Sequence, residues 1–301
     1  MEDLENIRLA GWRSQRRSTS SQTPCGGSRR SRKPNCQGGA DRLNSRICAK
    51  TDRGLKRNRN EDSILLVDGQ DRRYDTGSLG KLYAVADGMG GHKGGAEASR
   101  MACERLLDYY YADRSGSYNS GDFGYARLRI LDESFHRADL DIRNVSLRVR
   151  ELEGMGTTLS ALVLLKETAL IAHVGDSRIY RLRNHRLEML TQDHTMARLS
   201  IEMGYLDEEE AARHPQSNIL TDVIGQGFDE VQTRMEQVRE GDLFLLCTDG
   251  LHHTVSESRI QEILESFHVE DKVCDRLVQE AIKGGGRDNI TVIVIELSGQ
   301  S

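Results

Sequence analysis

Apolar positions are sparse over the first 45 or so residues and then fall into short, regular runs. Residues 63–67 (SILLV) and 81–86 (KLYAVA) read as strands, the second ended by Asp87-Gly88. Between 94 and 112, Ala98, Met101, Ala102, Leu106 and Tyr109 share one helical face. Over 125–150 the apolar residues Leu128, Leu131, Phe135, Ala138, Ile142, Val145 and Val149 recur every three or four positions, which predicts a second helix. That spacing fits a coiled coil between molecules or a helix packed on its neighbour; packing within the domain is the expectation. Strands follow at 157–165, 169–174, 178–183 and 242–247. Residues 195–230 break the regularity with two short helical stretches, a His-Pro and several glycines, as a substrate-facing flap or a surface loop would. Ile260, Ile263, Leu264 and Phe267 mark one late helix; Val273, Leu277, Val278 and Ile282 mark another, stopped by three glycines at 284–286. The run 290–295 is a closing strand. Strands in runs and helices in pairs argue for an α+β domain with largely antiparallel sheets, not for a doubly wound parallel sheet.

Composition divides the chain. Residues 1–45, rich in Arg, Ser, Gly and Gln, bury too little to offset their ordering entropy, and a disordered basic tail is expected there, followed by one domain over 46–299. An electrostatic tether to nucleic acid or anionic lipid is the functional alternative for the tail. Residues 1–50 hold 11 Lys and Arg against 4 Asp and Glu, which leaves 31 against 43 for the remainder. An acidic body repels nucleic acid outside that tail. No run approaches the roughly 18 apolar residues of a membrane span, and no apolar segment follows the N-terminal charges as in a secretory signal. The six cysteines form no CxxC pair and no zinc spacing; Cys48, Cys103, Cys247 and Cys274 sit in apolar patterns, so a reduced, cytoplasmic chain is expected.

Acidic residues stand where strands meet turns: Glu61-Asp62 before one, Asp87-Gly88 and Asp249-Gly250 after two others, Asp176 after AHVG, and Asp288 before the last. Singly, an Asp-Gly pair is a turn signal. If these ends converge, the carboxylates repel one another, and a hard cation such as Mn²⁺ or Mg²⁺ resolves the conflict. Arg57 fits a bidentate fork for phosphate, or a surface arginine among Arg53, Lys56 and Arg59. The glycine-rich stretch at 88–95 could cradle an anion at a helix start but lacks Walker and dinucleotide spacing; His92 within it is a candidate proton donor or an exposed loop histidine.

In order along the chain stand RNRNED (57–62), VADGMGGHKGG (85–95), GMGTTLSALV (154–163), HVGDSRIYRLR (173–183), LTQDHT (190–195), LCTDGLHHTV (246–255) and GGRDNITVIVI (285–295). Together they resemble the metal-dependent PPM, or type 2C, protein serine/threonine phosphatases of the compact bacterial type, over about residues 46–297. The resemblance implies a four-layer α-β-β-α sandwich of two mainly antiparallel sheets flanked by helix pairs. It implies two Mn²⁺ or Mg²⁺ ions, with Asp87 bridging, the Gly88 carbonyl on one ion, Asp249 and Asp288 completing the first, and Glu61 serving the second. It further implies Asp62 as orienter of metal-bound water, Arg57 as phosphate holder, and a third, weaker ion on Asp176 and Asp249. His92 is the general-acid candidate, although Met89 stands where many eukaryotic members carry histidine directly after Asp-Gly. The activity implied is hydrolysis of phosphoserine and phosphothreonine in proteins by attack of a metal-bridging hydroxide, in signalling by dephosphorylation. Partners would be phosphoproteins, including a Ser/Thr kinase or its targets. A catalytically silent phosphoprotein-binding module on the same fold is the alternative, and a nucleic-acid binder acting through the tail a third.

Overall fold

The computed structural model describes residues 7–9, 43–90, 93–112, 123–212, 214, 216, 218–266 and 272–299. Two sheets face each other. The first is ordered β1 (Ile7–Leu9), β3 (Asp62–Val67), β4 (Lys81–Met89), β6 (Leu159–Leu165), β7 (Thr168–Val174) and β10 (Gln232–Gln237), with β5 (Gly156–Thr157) extending it at the end of β4. The second is ordered β2 (Leu43–Asp52), β12 (Ile290–Gly299), β11 (Leu243–Cys247), β8 (Arg178–Arg183) and β9 (Arg186–Met189). Every pairing is antiparallel except that of β1 with β3.

The unbroken apolar runs of the central strands follow from burial on both faces. On β3, Ile64 and Leu66 enter the core between the sheets with Tyr83, Val85, Leu162, Ile171, Phe244 and Ile293. Leu65 and Val67 enter the core beneath α2 (Gly94–Ala112) and α3 (Phe123–Arg148). Each such side chain contributes about 1.5–3 kcal/mol relative to exposure. Leu131, Phe135, Ala138 and Ile142 of α3 are buried in that layer, so the apolar stripe is covered within the domain rather than by a second molecule. On the far side α7 (Glu257–Glu265) and α8 (Val273–Lys283) cover the second sheet through Ile260, Leu264, Leu277 and Val278. The layers run helix, sheet, sheet, helix. Short helices complete the chain: α1 (Thr76–Leu79), α4 (Met196–Glu202), α5 (Glu208–Ala212) and α6 (Asp249–His252). None of the described helices is long and apolar enough to cross a membrane.

Four expectations are altered. Strand β4 does not end at Asp87-Gly88 but continues to Met89, because Gly88 and Met89 pair with Thr157 and Gly156. Strands β9 and β10 lack an apolar signal, since their residues are half-buried or exposed. Within the expected tail, Ile7–Leu9 form a strand on the edge of β3, where unpaired backbone groups accept a partner, and β2 begins at Leu43. Residues 10–42, His92 and Phe267 lie outside the described residues. Finally, Cys48 of β2 and Cys274 of α8 form a disulfide, which corrects the fully reduced reading; their Cα atoms lie 6.2 Å apart, within bridging range. Spacing in sequence could not show this, for 226 positions separate them. Cys103 and Cys247 are buried and form no disulfide among the described residues.

Candidate metal centre

The acidic residues gather because antiparallel strands place their alternate ends together. Asp62 opens β3 and Asp87 nears the end of β4, directly opposite in register. Asp176 lies in the three-residue crossing from β7 in one sheet to β8 in the other. Asp249 follows β11 through Thr248 and opens α6, while Asp288 is joined to β12 through Asn289. Like charges directly opposite on paired strands destabilise a sheet, so this end of the sandwich carries built-in repulsion.

Its electrostatic signature is plain. Burial, then the charges of Asp62, Asp249, Asp176 and Asp288, drive Asp87 well above the usual carboxylate range. Burial pushes Asp62 up to about 7, with Asp249 and Asp288 adding to it. Asp176 also rises to about 7, first from burial and then from Asp249 and Asp193. Burial, opposed by the Arg57 charge, leaves Glu61 raised. Asp249 alone falls: burial would lift it, but the hydrogen bond and charge of His253 hold it below its ordinary value.

Hydroxyls and one amide fix the scaffold. The Thr248 hydroxyl donates to Asp62 Oδ2 at 2.9 Å, linking the two sheets. The Asp87 N–H donates to Thr158 Oγ1 at 2.9 Å, and its carbonyl accepts from Thr157 Oγ1 at 2.8 Å. Asn289, 3% exposed, accepts from the Glu61 N–H at 2.8 Å and donates to the carbonyls of Arg53 and Arg59 at 3.0 and 2.9 Å. One side chain therefore positions both Glu61 and the loop that carries Arg57. A Cβ at Gly88 would collide with the Gly95 carbonyl, and one at Gly250 with the Asn289 carbonyl; close backbone approach explains both glycines after aspartate. The Arg57 guanidinium, 53% exposed, donates to Asp288 Oδ2 at 2.6 Å. His92 lies outside the described residues.

Thr248, Thr158 and Asn289 escaped the reading of the sequence because a threonine in a strand and an asparagine before one are unremarkable in isolation. So did His253, whose Nδ1 lies 3.2 Å from Asp249 Oδ2. Among the described residues, Asp62 Oδ1 and Asp249 Oδ1 are buried without a hydrogen-bond partner. Orphaned carboxylate oxygens, in an all-oxygen set whose charge Arg57 and His253 only partly balance, fit divalent cations.

A pH dependence follows. Asp62 and Asp176 titrate near 7 in the metal-free fold, above their unfolded values near 4. Stability they allow is fully present below about pH 4 and is lost as pH rises through about 7. The melting temperature without metal is expected to fall between pH 5 and pH 8, and the increment given by Mn²⁺ to grow over the same interval as proton competition disappears. Melting curves at both pH values, with and without Mn²⁺, check this; an increment independent of pH would contradict it.

Comparison with known proteins gives a consistent result. The family model described as Protein phosphatase 2C matches residues 58–281. The serine/threonine phosphatase stp of Listeria monocytogenes serotype 4b is 36% identical over 248 residues, covering 82% of this chain and 94% of that protein. The crystal structure of the Mycobacterium tuberculosis serine/threonine phosphatase PstP/Ppp superposes with a TM-score of 0.72 at 35% identity, covering 84% and 99% of the two chains. A structure of the catalytic domain of PstP in complex with two manganese ions matches with a TM-score of 0.70 at 33% identity, over 85% and 99%.

Proposed function

Because this chain belongs to the protein phosphatase 2C family of metal-dependent protein serine/threonine phosphatases, we propose that its acidic cluster is the catalytic centre and assign its residues accordingly. Asp87 would serve both cations and the Gly88 carbonyl one of them, Asp249 and Asp288 would complete the first and Glu61 would serve the second, while Asp62 would orient metal-bound water. The convergence of raised, partly orphaned carboxylates at one end of the sandwich is the observation that supports this reading. When bound, the two cations lower the pKa of a water to give a nucleophile at neutral pH and neutralise the phosphoryl oxygens. Mn²⁺ and Mg²⁺ both suit the oxygen donors, and a third ion is assigned to Asp176 and Asp249.

The protein's own groups do the rest. Bound cations would keep Asp87 and Asp249 ionised; Thr158 fixes the Asp87 backbone by accepting from its N–H, and the Thr248 hydroxyl holds the Asp62 carboxylate. Arg57 would hold the substrate phosphate; its guanidinium is half-exposed and now donates to Asp288, a contact it could give up for a phosphate oxygen. His92 is kept as the candidate general acid. The catalytic domain is taken to run from the start of β2 to the end of β12, close to the 46–299 expected, with the basic segment before it outside catalysis. The substrates are phosphorylated proteins, with a Ser/Thr kinase or that kinase's targets among them.

Release of phosphate from phosphoserine and phosphothreonine peptides, against phosphotyrosine peptides, tests the activity, and its absence with Mn²⁺ present would favour a silent binding module. Arg57→Ala is expected to raise KM about ten- to a hundredfold, the value of a charge-assisted contact of roughly 1.5–3 kcal/mol, with a smaller change in metal affinity. Unchanged kinetics would return Arg57 to a surface role.

A further inference from the structure

Among the described residues one group of potential ligands is already drawn together: an oxygen of Asp176, an oxygen of Asp249 and a ring nitrogen of His253 all lie within 4.8 Å of one another. Asp249 and His253 are four residues apart across α6 and its C-cap, and His253 retains helical backbone angles, so the two side chains share a face. Asp176 is 6% exposed, and its side chain has no hydrogen bond or ion pair with any described residue. It is anchored from behind instead: the ring of His252 donates from Nε2 to the Asp176 carbonyl at 3.0 Å, which fixes the turn without satisfying the side chain. Asp249 Oδ1 is buried and has no hydrogen-bond partner among the described residues either. Two acids with unused oxygens and one half-exposed imidazole therefore face a common point.

We propose that His253 is a ligand of the third ion, and that this ion is consequently a first-row transition-metal ion rather than Mg²⁺. The inference rests on the reading above that Asp176 and Asp249 hold a third ion. What it adds is the nitrogen donor and the selectivity that comes from it. Carboxylate and water oxygens alone serve Mg²⁺ and Mn²⁺ alike, whereas imidazole suits transition ions and adds little for Mg²⁺, which keeps its waters. The Asp249–His253 contact holds the ring beside the site before an ion arrives. Ligation replaces that contact by a bond from a neutral ring nitrogen, with release of the ring proton when His253 is charged.

The full-length chain, titrated with Mn²⁺ or Mg²⁺ alone by calorimetry and examined with Mn²⁺ by pulsed electron paramagnetic resonance, tests this. Three Mn²⁺ are expected per chain, and the weakest should show coupling to an imidazole ¹⁴N. In His253→Asn that coupling should vanish and the weakest Mn²⁺ should bind about 10–100-fold less tightly, with Mg²⁺ changed by less than about threefold because asparagine still offers an oxygen. Asp176→Asn should lose the third ion while the first two remain. Two Mn²⁺ only in the unaltered chain would overturn the third-ion reading and this inference together. Three Mn²⁺ without ¹⁴N coupling, or with coupling and affinity unaltered in His253→Asn, would overturn the inference alone and leave His253 as an ion-pair partner of Asp249.

Discussion

Asp87→Asn is expected to lower kcat by more than about a hundredfold with Mn²⁺ present. Losing a residue that merely supports a metal ligand costs about 10–100-fold, and Asp87 is assigned to both cations directly. The substitution keeps the shape of the side chain and removes its charge. It also removes the carboxylate placed opposite Asp62 in the strand register, so the metal-free variant should melt at a higher temperature than the parent. Mn²⁺ should then raise its melting temperature less than it raises the parent's. Loss of turnover together with a more stable metal-free fold is a pairing that simple misfolding does not produce. Wild-type rates in this variant would remove Asp87 from the centre.

Removal of metal is expected to have the other large effect. Excess chelator should bring phosphopeptide hydrolysis to the uncatalysed level, and Mn²⁺ added back should restore it. The reason lies in what else the cluster offers. Cys247 is the cysteine nearest in sequence to Asp249, but burial holds its thiol up to about 12, so it supplies no thiolate at neutral pH. The His252 ring, driven down to about 3 by burial first and then by Arg178 and His253, stays neutral and serves as an anchor for Asp176. These two side chains therefore offer neither a thiolate nor a charged acid, and the metal mechanism is assigned to the oxygen ligands. Full turnover in excess chelator would overturn the metal mechanism.

The structural neighbours and the family match agree with an α+β sandwich, and much of that was legible in the pattern of residues. Helix α2 spans the very residues its apolar face predicts, and α3 differs from its expected span by two residues at each end. Unbroken runs such as LLV in β3 and FLLC in β11 announced strands because both faces of each sheet are covered, leaving no polar alternation to dilute the signal. The ordered series of acidic motifs likewise pointed to a family and a chemistry. Local sequence carries these features because they depend on which side chains a few neighbouring residues present to water.

Tertiary structure decided the rest. Polar, half-exposed β10 takes its place from pairing with β7, which no local pattern encodes. That Asp87-Gly88 continues a strand instead of turning depends on Thr157 and Gly156, about seventy residues away. The Cys48–Cys274 bond and the support that Asn289 gives to Glu61 join positions more than 220 residues apart. His253 became a candidate ligand only when the β7–β8 crossing brought Asp176 to the face that it shares with Asp249. Convergence of this kind is set by register and by the packing of one sheet on the other, so the sequence named the acids while only the fold could bring them together.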